Sequence, residues 1–144
     1  MLLGANLVVK TVDTIEQGKV KTKNQPELEE KFAPKLNPEN CKIDWSLSVD
    51  TIYNKIRGLN PFPAAWTVLK NNDEEITAKI YGISKIKETH QFDSGKIIAS
   101  KKELKVAVKD GFININEIKL AGKKKMDVKS LLNGYTFSSD SKMM

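Results

Sequence analysis

The chain has 144 residues, 40% of them hydrophobic, and a net charge of +6, enough apolar material for one ordinary core with appendages but not for two full domains. No apolar run approaches the ~20 residues that a membrane span needs, and Met1-Leu-Leu-Gly4 lacks the basic start and apolar centre of a signal peptide, so a cytoplasmic setting fits. The single cysteine, Cys41, excludes an internal disulfide, and the single histidine, His90, excludes the usual zinc ligand sets.

Ala5, Val8, Val12 and Ile15 recur at helical spacing and Gly18 follows as a stop, which predicts an amphipathic helix over residues 1–18. Lys19 to Asn24 is polar and Pro26 closes it, which gives a linker running to residue 36. Within that linker Glu27 to Leu36 reads as a short turn or strand, because Pro34 interrupts the spacing of Leu28, Phe32 and Leu36. Pro38-Glu-Asn-Cys41 begins like a brief helical turn. Ser46 or Ser48 caps a helix whose apolar face is Val49, Ile52, Tyr53 and Ile56, with Gly58 as its stop. Trp45 reads as core. Asn60-Pro-Phe-Pro63 is expected to be a rigid extended elbow, since a residue before proline is pushed out of the helical region.

Beyond the elbow the period falls to two. Ala65 to Lys70 is a strand, Asn71-Asn-Asp73 a turn, and Glu75 to Lys87 one long strand in which Gly82 marks a bend or bulge. His90 falls in a polar loop and is expected to be solvated. Ile97 to Ala99 is a short strand, and Leu104, Val106 and Val108 alternate with polar neighbours up to a hairpin turn at Asp110-Gly111. Ile113 and Ile115 share one parity but Ile118 and Leu120 the other, which places a bulge near Asn116. Asp127 caps a last helix ending at Gly134, and residues 136–144 read as a frayed tail.

These elements describe a mainly β fold with flanking helices: a small open antiparallel barrel over residues 37–135, with a β-sandwich as the alternative. Residues 1–75 carry ten Lys/Arg and eleven Asp/Glu, whereas residues 76–144 carry fourteen Lys and seven Asp/Glu. A basic second half fits either a solubility surface or a polyanion partner such as nucleic acid. Three strips are candidates for phosphate contacts: Lys79, Tyr81, Lys85 and Lys87; Lys101, Lys102, Lys105 and Lys109; and Lys123, Lys124 and Lys125 ahead of a helix N-terminus. Arg57 is a weaker candidate that could equally cap its own helix, and Tyr81 either stacks on a base or fills a strand face. No glycine-rich phosphate loop, carboxylate pair or nucleophile beside a histidine stands in the sequence, so no catalytic, cofactor or metal residue is assigned.

Ile43-Asp-Trp45, Ile56-Arg-Gly-Leu-Asn-Pro-Phe-Pro-Ala-Ala-Trp66, Leu120-Ala-Gly-Lys-Lys-Lys-Met126 and Leu131-Leu-Asn-Gly134 follow one another in an order that resembles the C-terminal domain of the methionyl-tRNA formyltransferase family. Gly4-Ala-Asn-Leu7 to Ile15-Glu-Gln-Gly18 resembles the last helix of that family's N-terminal domain, and the family's usual Pro-Trp-Pro-Gly reads Pro61-Phe-Pro-Ala64 here. The resemblance implies an oligonucleotide-binding-like barrel that holds initiator Met-tRNA. It implies also that formyl transfer from 10-formyltetrahydrofolate belongs to an N-terminal domain that this chain lacks, so the fragment alone is catalytically silent. A like domain of a small-substrate formyltransferase and a structural spacer are the competing readings. Residues 5–15, cut off from their usual support, are expected to dock on the barrel of their own chain or of a second copy, giving a dimer.

Overall fold

The computed structural model describes residues 2–24 and 33–144. They fall into two compact units, residues 1–34 and residues 35–144. In the first unit, helix α1 (Leu2–Glu16) has no buried residue. It stops as its glycine dictates: Gly18 takes φ +65°, its N–H donates to Ile15 O and the Lys19 N–H donates to Thr14 O, the paired bonds of a Schellman ending. The turn or strand expected over Glu27 to Leu36 lies for the most part outside the described residues.

In the second unit the short helix α2 (Pro38–Cys41) is closed by a reciprocal capping box between Asn37 and Asn40. Helix α3 (Val49–Leu59) is capped by the Ser48 hydroxyl, and the Val49 N–H donates 2.7 Å to the Asp110 carboxylate, sixty-one residues away in sequence. The helix does not stop at Gly58. It runs on to Leu59 and gives way at Asn60 (φ −83°, ψ 136°), so the pre-proline restriction ends it rather than a left-handed glycine. The elbow is a turn and not an extended segment: the Ala64 N–H donates 2.9 Å back to Leu59 O, and Ala64 takes φ 71° before the sheet begins.

Among the described residues nine strands form two antiparallel sheets. One has the order β8-β7-β2-β1-β9, built from Met126–Asp127, Glu117–Leu120, Glu74–Ile80, Ala65–Asn71 and Lys142–Met143. The other has the order β3-β6-β5-β4, built from Ile83–Ile86, Gly111–Ile115, Leu104–Val108 and Ile97–Ala99. Their facing sides meet in one core that includes Leu69, Ile80 and Ile118 from the first sheet and Leu104, Val106 and Ile113 from the second. Helix α3 packs on β3, β6 and β1 and inserts Val49, Ile52 and Ile56, while Val128 and Leu131 of α4 (Val128–Gly134) add to the core. The arrangement is a mixed fold of two sheets with flanking helices. Among the described residues only the bridge between Lys96 and Lys142 links the free edges, so the sheets do not close into a barrel.

Two expectations about strands change for the same reason. The long strand from Glu75 to Lys87 is two strands, β2 and β3, lying in different sheets, and the phase shift near Asn116 is again a change of sheet rather than a bulge. Both crossings occur side by side. Asn116 and Glu117 donate their N–H groups to Gly82 O at 2.7 and 3.1 Å, and the Tyr81 N–H donates 3.0 Å to Glu117 O. The crossing is tight at Gly82, where a Cβ would sit 3.0 Å from the Glu117 side chain and 3.3 Å from its backbone nitrogen.

The C-terminal segment is not a frayed tail. Lys142–Met143 pairs with Lys70 and Leu69, Met143 is buried, and Ser138 and Ser141 both donate to the Asn71 side-chain carbonyl. Nor is His90 solvated: its Nε2 lies 2.9 and 2.8 Å from the carbonyls of Val108 and Gly111, and its ring stacks 4.4 Å from Phe112. Since both partners are carbonyls and the Phe92 N–H donates to Nδ1, the proton resides on Nε2. The loop carrying His90 and Phe92 roofs the outer side of the second sheet, which explains why Ala107 and Phe112 are buried against the strand alternation.

Candidate nucleic-acid interface

The first expected strip does not survive as one surface. Lys79, on β2, donates 3.1 Å to Pro63 O. Lys85 and Lys87, beyond the Gly82 crossing, both reach the carboxylate of Asp50 in the first turn of α3, each at 2.5 Å. Lys85 also stands 5.2 Å from the centre of the Tyr53 ring. Hydrogen bonds from Lys85 and then Lys87 hold the Asp50 carboxyl at about 2, and the same contact raises the pKa of Lys87. These two lysines are therefore part of the attachment of α3 to the sheet. Equal parity in sequence placed them with Lys79, but the change of sheet puts them on a different face.

Tyr81 instead joins the third strip. Lys125 Nζ is 5.3 Å from the Tyr81 ring centre and 3.1 Å from Glu117, so the corner where both chains change sheets gathers an aromatic, a lysine and a carboxylate. Lys123 lies 5.9 Å from the Tyr135 ring, and Lys124 is exposed beside it. The helix N-terminus that follows is already occupied: the Asp127 carboxylate accepts from the Ser130 N–H and hydroxyl at 2.9 Å each, and both bonds lower its pKa. The backbone donors expected to help Lys123 to Lys125 hold an anion thus serve Asp127.

The second strip belongs to the other sheet. Lys101 and Lys102 sit in the bend between β4 and β5, Lys109 in the β5–β6 turn, and Lys105 on β5 within 3.1 Å of Glu103. Arg57 lies in the last turn of α3 with a guanidinium nitrogen donating 3.4 Å to the Asn54 side-chain oxygen, in keeping with a local role.

Strand register reveals a basic row that sequence reasoning missed. Trp66 on β1 stands opposite Lys79 on β2, and Lys79 opposite Lys119 on β7; further along the same outer face Lys70 stands opposite both Lys142 and Glu75. Alternation with buried Ile118 and Leu120 was the available signal for Lys119, since it had to face outward wherever β7 paired. Lys42 completes the group, its Nζ 5.6 Å from the Trp66 ring. The outer face of the first sheet, with the Tyr81 corner at its side, thus brings Lys42, Lys79, Lys119, Lys70 and Lys142 together with Trp66 and Tyr81.

Fold and surface together define a small domain with a basic sheet face; among the described residues no helix is long and apolar enough to cross a membrane. The profile of the family described as formyl transferase, C-terminal domain, matches residues 35–136. The chain is 49% identical over 144 residues to a methionyl-tRNA formyltransferase of Flavobacterium johnsoniae, covering 99% of this chain and 46% of that protein. A methionyl-tRNA formyltransferase of Bacteroides fragilis is 42% identical over 149 residues, again covering 99% of this chain and 46% of the relative. Among solved structures, HypX of Aquifex aeolicus in complex with tetrahydrofolic acid superimposes with a TM-score of 0.57 at 18% identity, over 88% of this chain and 22% of that one. At that identity the likeness is one of fold. The chain belongs to the formyl transferase C-terminal domain family, and it spans less than half the length of the curated relatives it matches.

Proposed function

We propose that this chain is the tRNA-holding C-terminal portion of a methionyl-tRNA formyltransferase. It would grip initiator Met-tRNA by phosphate contacts while a separate catalytic domain moves the formyl group of 10-formyltetrahydrofolate to the methionyl amino group. The observation that carries this reading is the 49% identity to a methionyl-tRNA formyltransferase over 99% of the chain. The folate half draws support from the fold, which occurs also in a protein solved with tetrahydrofolic acid. A cytoplasmic setting belongs to the same reading, as does a division into a terminal helix of the catalytic domain (1–18), a linker (19–36) and the tRNA-holding domain (from 37). We read the two sheets, nearly joined at the Lys96–Lys142 bridge, as an open oligonucleotide-binding-like barrel. The uncovered stripe of α1 fits a surface that the catalytic domain covers in the whole enzyme and a second copy covers in this fragment.

Grip on phosphates by Lys79, Lys119 and Lys123 to Lys125 is sequence-tolerant, and each neutralised phosphate of a duplex region contributes about −0.9 to the slope of log affinity against log salt. Fluorescence anisotropy of labelled tRNA titrated with the chain at two salt concentrations is the test. Affinity that collapses as salt rises, together with a slope about 2 to 3 units shallower after reversal of Lys123, Lys124 and Lys125 to glutamate, is the expected result. Absence of binding at low salt would point instead to a spacer or to a small-substrate enzyme.

A further inference from the structure

Beside the basic row lies a groove of about 660 Å³ whose lining includes Leu36, Pro38, Phe62, Pro63, Trp66 and Lys79. Its features argue for an occupant. Phe62 is 87% exposed although apolar, and the turn that carries it is closed by the Ala64 to Leu59 hydrogen bond, which sets the ring at the groove. Trp66 is fixed at its edge by an indole N–H donating 2.7 Å to Pro38 O. Cations surround the two rings: Lys79 lines the groove, Lys119 stands next to it in register, and Lys42 approaches the Trp66 ring. None of the described residues that line the groove is acidic. An apolar protein segment would gain from the rings but nothing from the lysines. An unpaired nucleotide uses both, since any base has a face to stack and brings a phosphate on either side.

We propose that this groove takes one unpaired RNA base, stacked against Phe62 over the Trp66 floor, with the flanking phosphates on Lys79 and Lys119. The proposal rests on the RNA-holding reading and adds to it a contact that is not electrostatic. It predicts a separation of effects: Phe62 sets affinity without changing the salt slope, whereas Lys79 and Lys119 change the slope.

The test is anisotropy of the full chain with a fluorescent single-stranded oligoribonucleotide about ten nucleotides long, and with an abasic strand of the same length. Phe62→Ala is expected to weaken binding of the oligoribonucleotide about 5- to 150-fold, the range for loss of one stacked base, at an unchanged salt slope. It should leave the abasic strand unaffected, and Phe62→Trp should restore binding. Since Phe62 is exposed, the Ala variant should melt with the parent, and the Trp variant shows the groove intact if it does not. Equal binding by Phe62→Ala and the parent would overturn the proposal and leave the ring to a protein partner; equal weakening on both strands would overturn stacking. Failure of the parent chain to bind any RNA would instead remove the underlying reading, and the stacked base with it.

Discussion

Asp50 illustrates how a single side chain decides which of its neighbours are available. Its two oxygens each hold one lysine, and the carboxyl is depressed from 3.8 to about 2, with the Lys85 contact the largest cause. A carboxylate whose pKa is lower folded than unfolded contributes stability above the unfolded value and loses it as pH falls through the folded one. The contribution of Asp50 is thus present at neutral pH and fades from pH 3.8 down to about 2. Thermal melts of the parent and of Asp50→Asn should differ near neutrality, with the parent higher, and should converge across that acid window. Because the pair is solvent-exposed the difference is small, and high salt should shrink it. A gap that stayed constant from neutral pH down to about 2 would mean that Asp50 acts through helix capping or packing and not through its charge.

At the level of elements, the strands and helices with undisturbed periodicity were legible from residues alone. Val49, Ile52 and Ile56 mark α3, and Leu104, Val106 and Val108 mark β5, because burial on one face imposes a period that survives in the sequence. The switches between sheets were not legible. Period two continues through Tyr81-Gly82, so parity alone assigns Lys79, Lys85 and Lys87 to one face although the backbone has moved to the other sheet. Long-range caps are equally invisible: nothing near Asp110 announces that it serves the start of α3. The last strand, β9, was hidden by composition. Residues 136–144 are rich in serine and lysine, yet the Asn71 side chain and the Gly95 carbonyl, which accepts 2.8 Å from Met143 N–H, hold that segment in the sheet. Gly95 itself takes φ +85°, and a Cβ there would lie 2.3 Å from Met143 O. Gly95→Ala should therefore destabilise the fold by about 3 kcal/mol in chemical denaturation, a value typical of forced backbone displacement. Limited proteolysis should cut within residues 136–144 of this variant faster than in the parent. Unaltered stability would show that β9 contributes little to the sheet.

The two compact units differ in what they can do alone. Residues 35–144 contain the family match and, among the described residues, the whole buried core, whereas α1 has no buried residue, with Val8 63% and Ile15 58% exposed. Charge divides just as unevenly, since residues 1–34 carry five lysines and five acids and so leave the full +6 to the remainder. A chain shortened to residues 35–144 should then keep its cooperative thermal transition and its salt-dependent RNA affinity, because it keeps the core residues named above and the net charge that attracts phosphates. What it should lose is self-association. An amphipathic helix without a partner exposes a stripe that a second copy can cover by isologous pairing, so light scattering across a dilution series should report a dimer for residues 1–144 and a monomer for residues 35–144. Should both chains be monomeric at every concentration, the stripe of α1 is a surface for another domain alone. A lower melting temperature for the shortened chain at concentrations where both are monomeric would show that α1 supports the core.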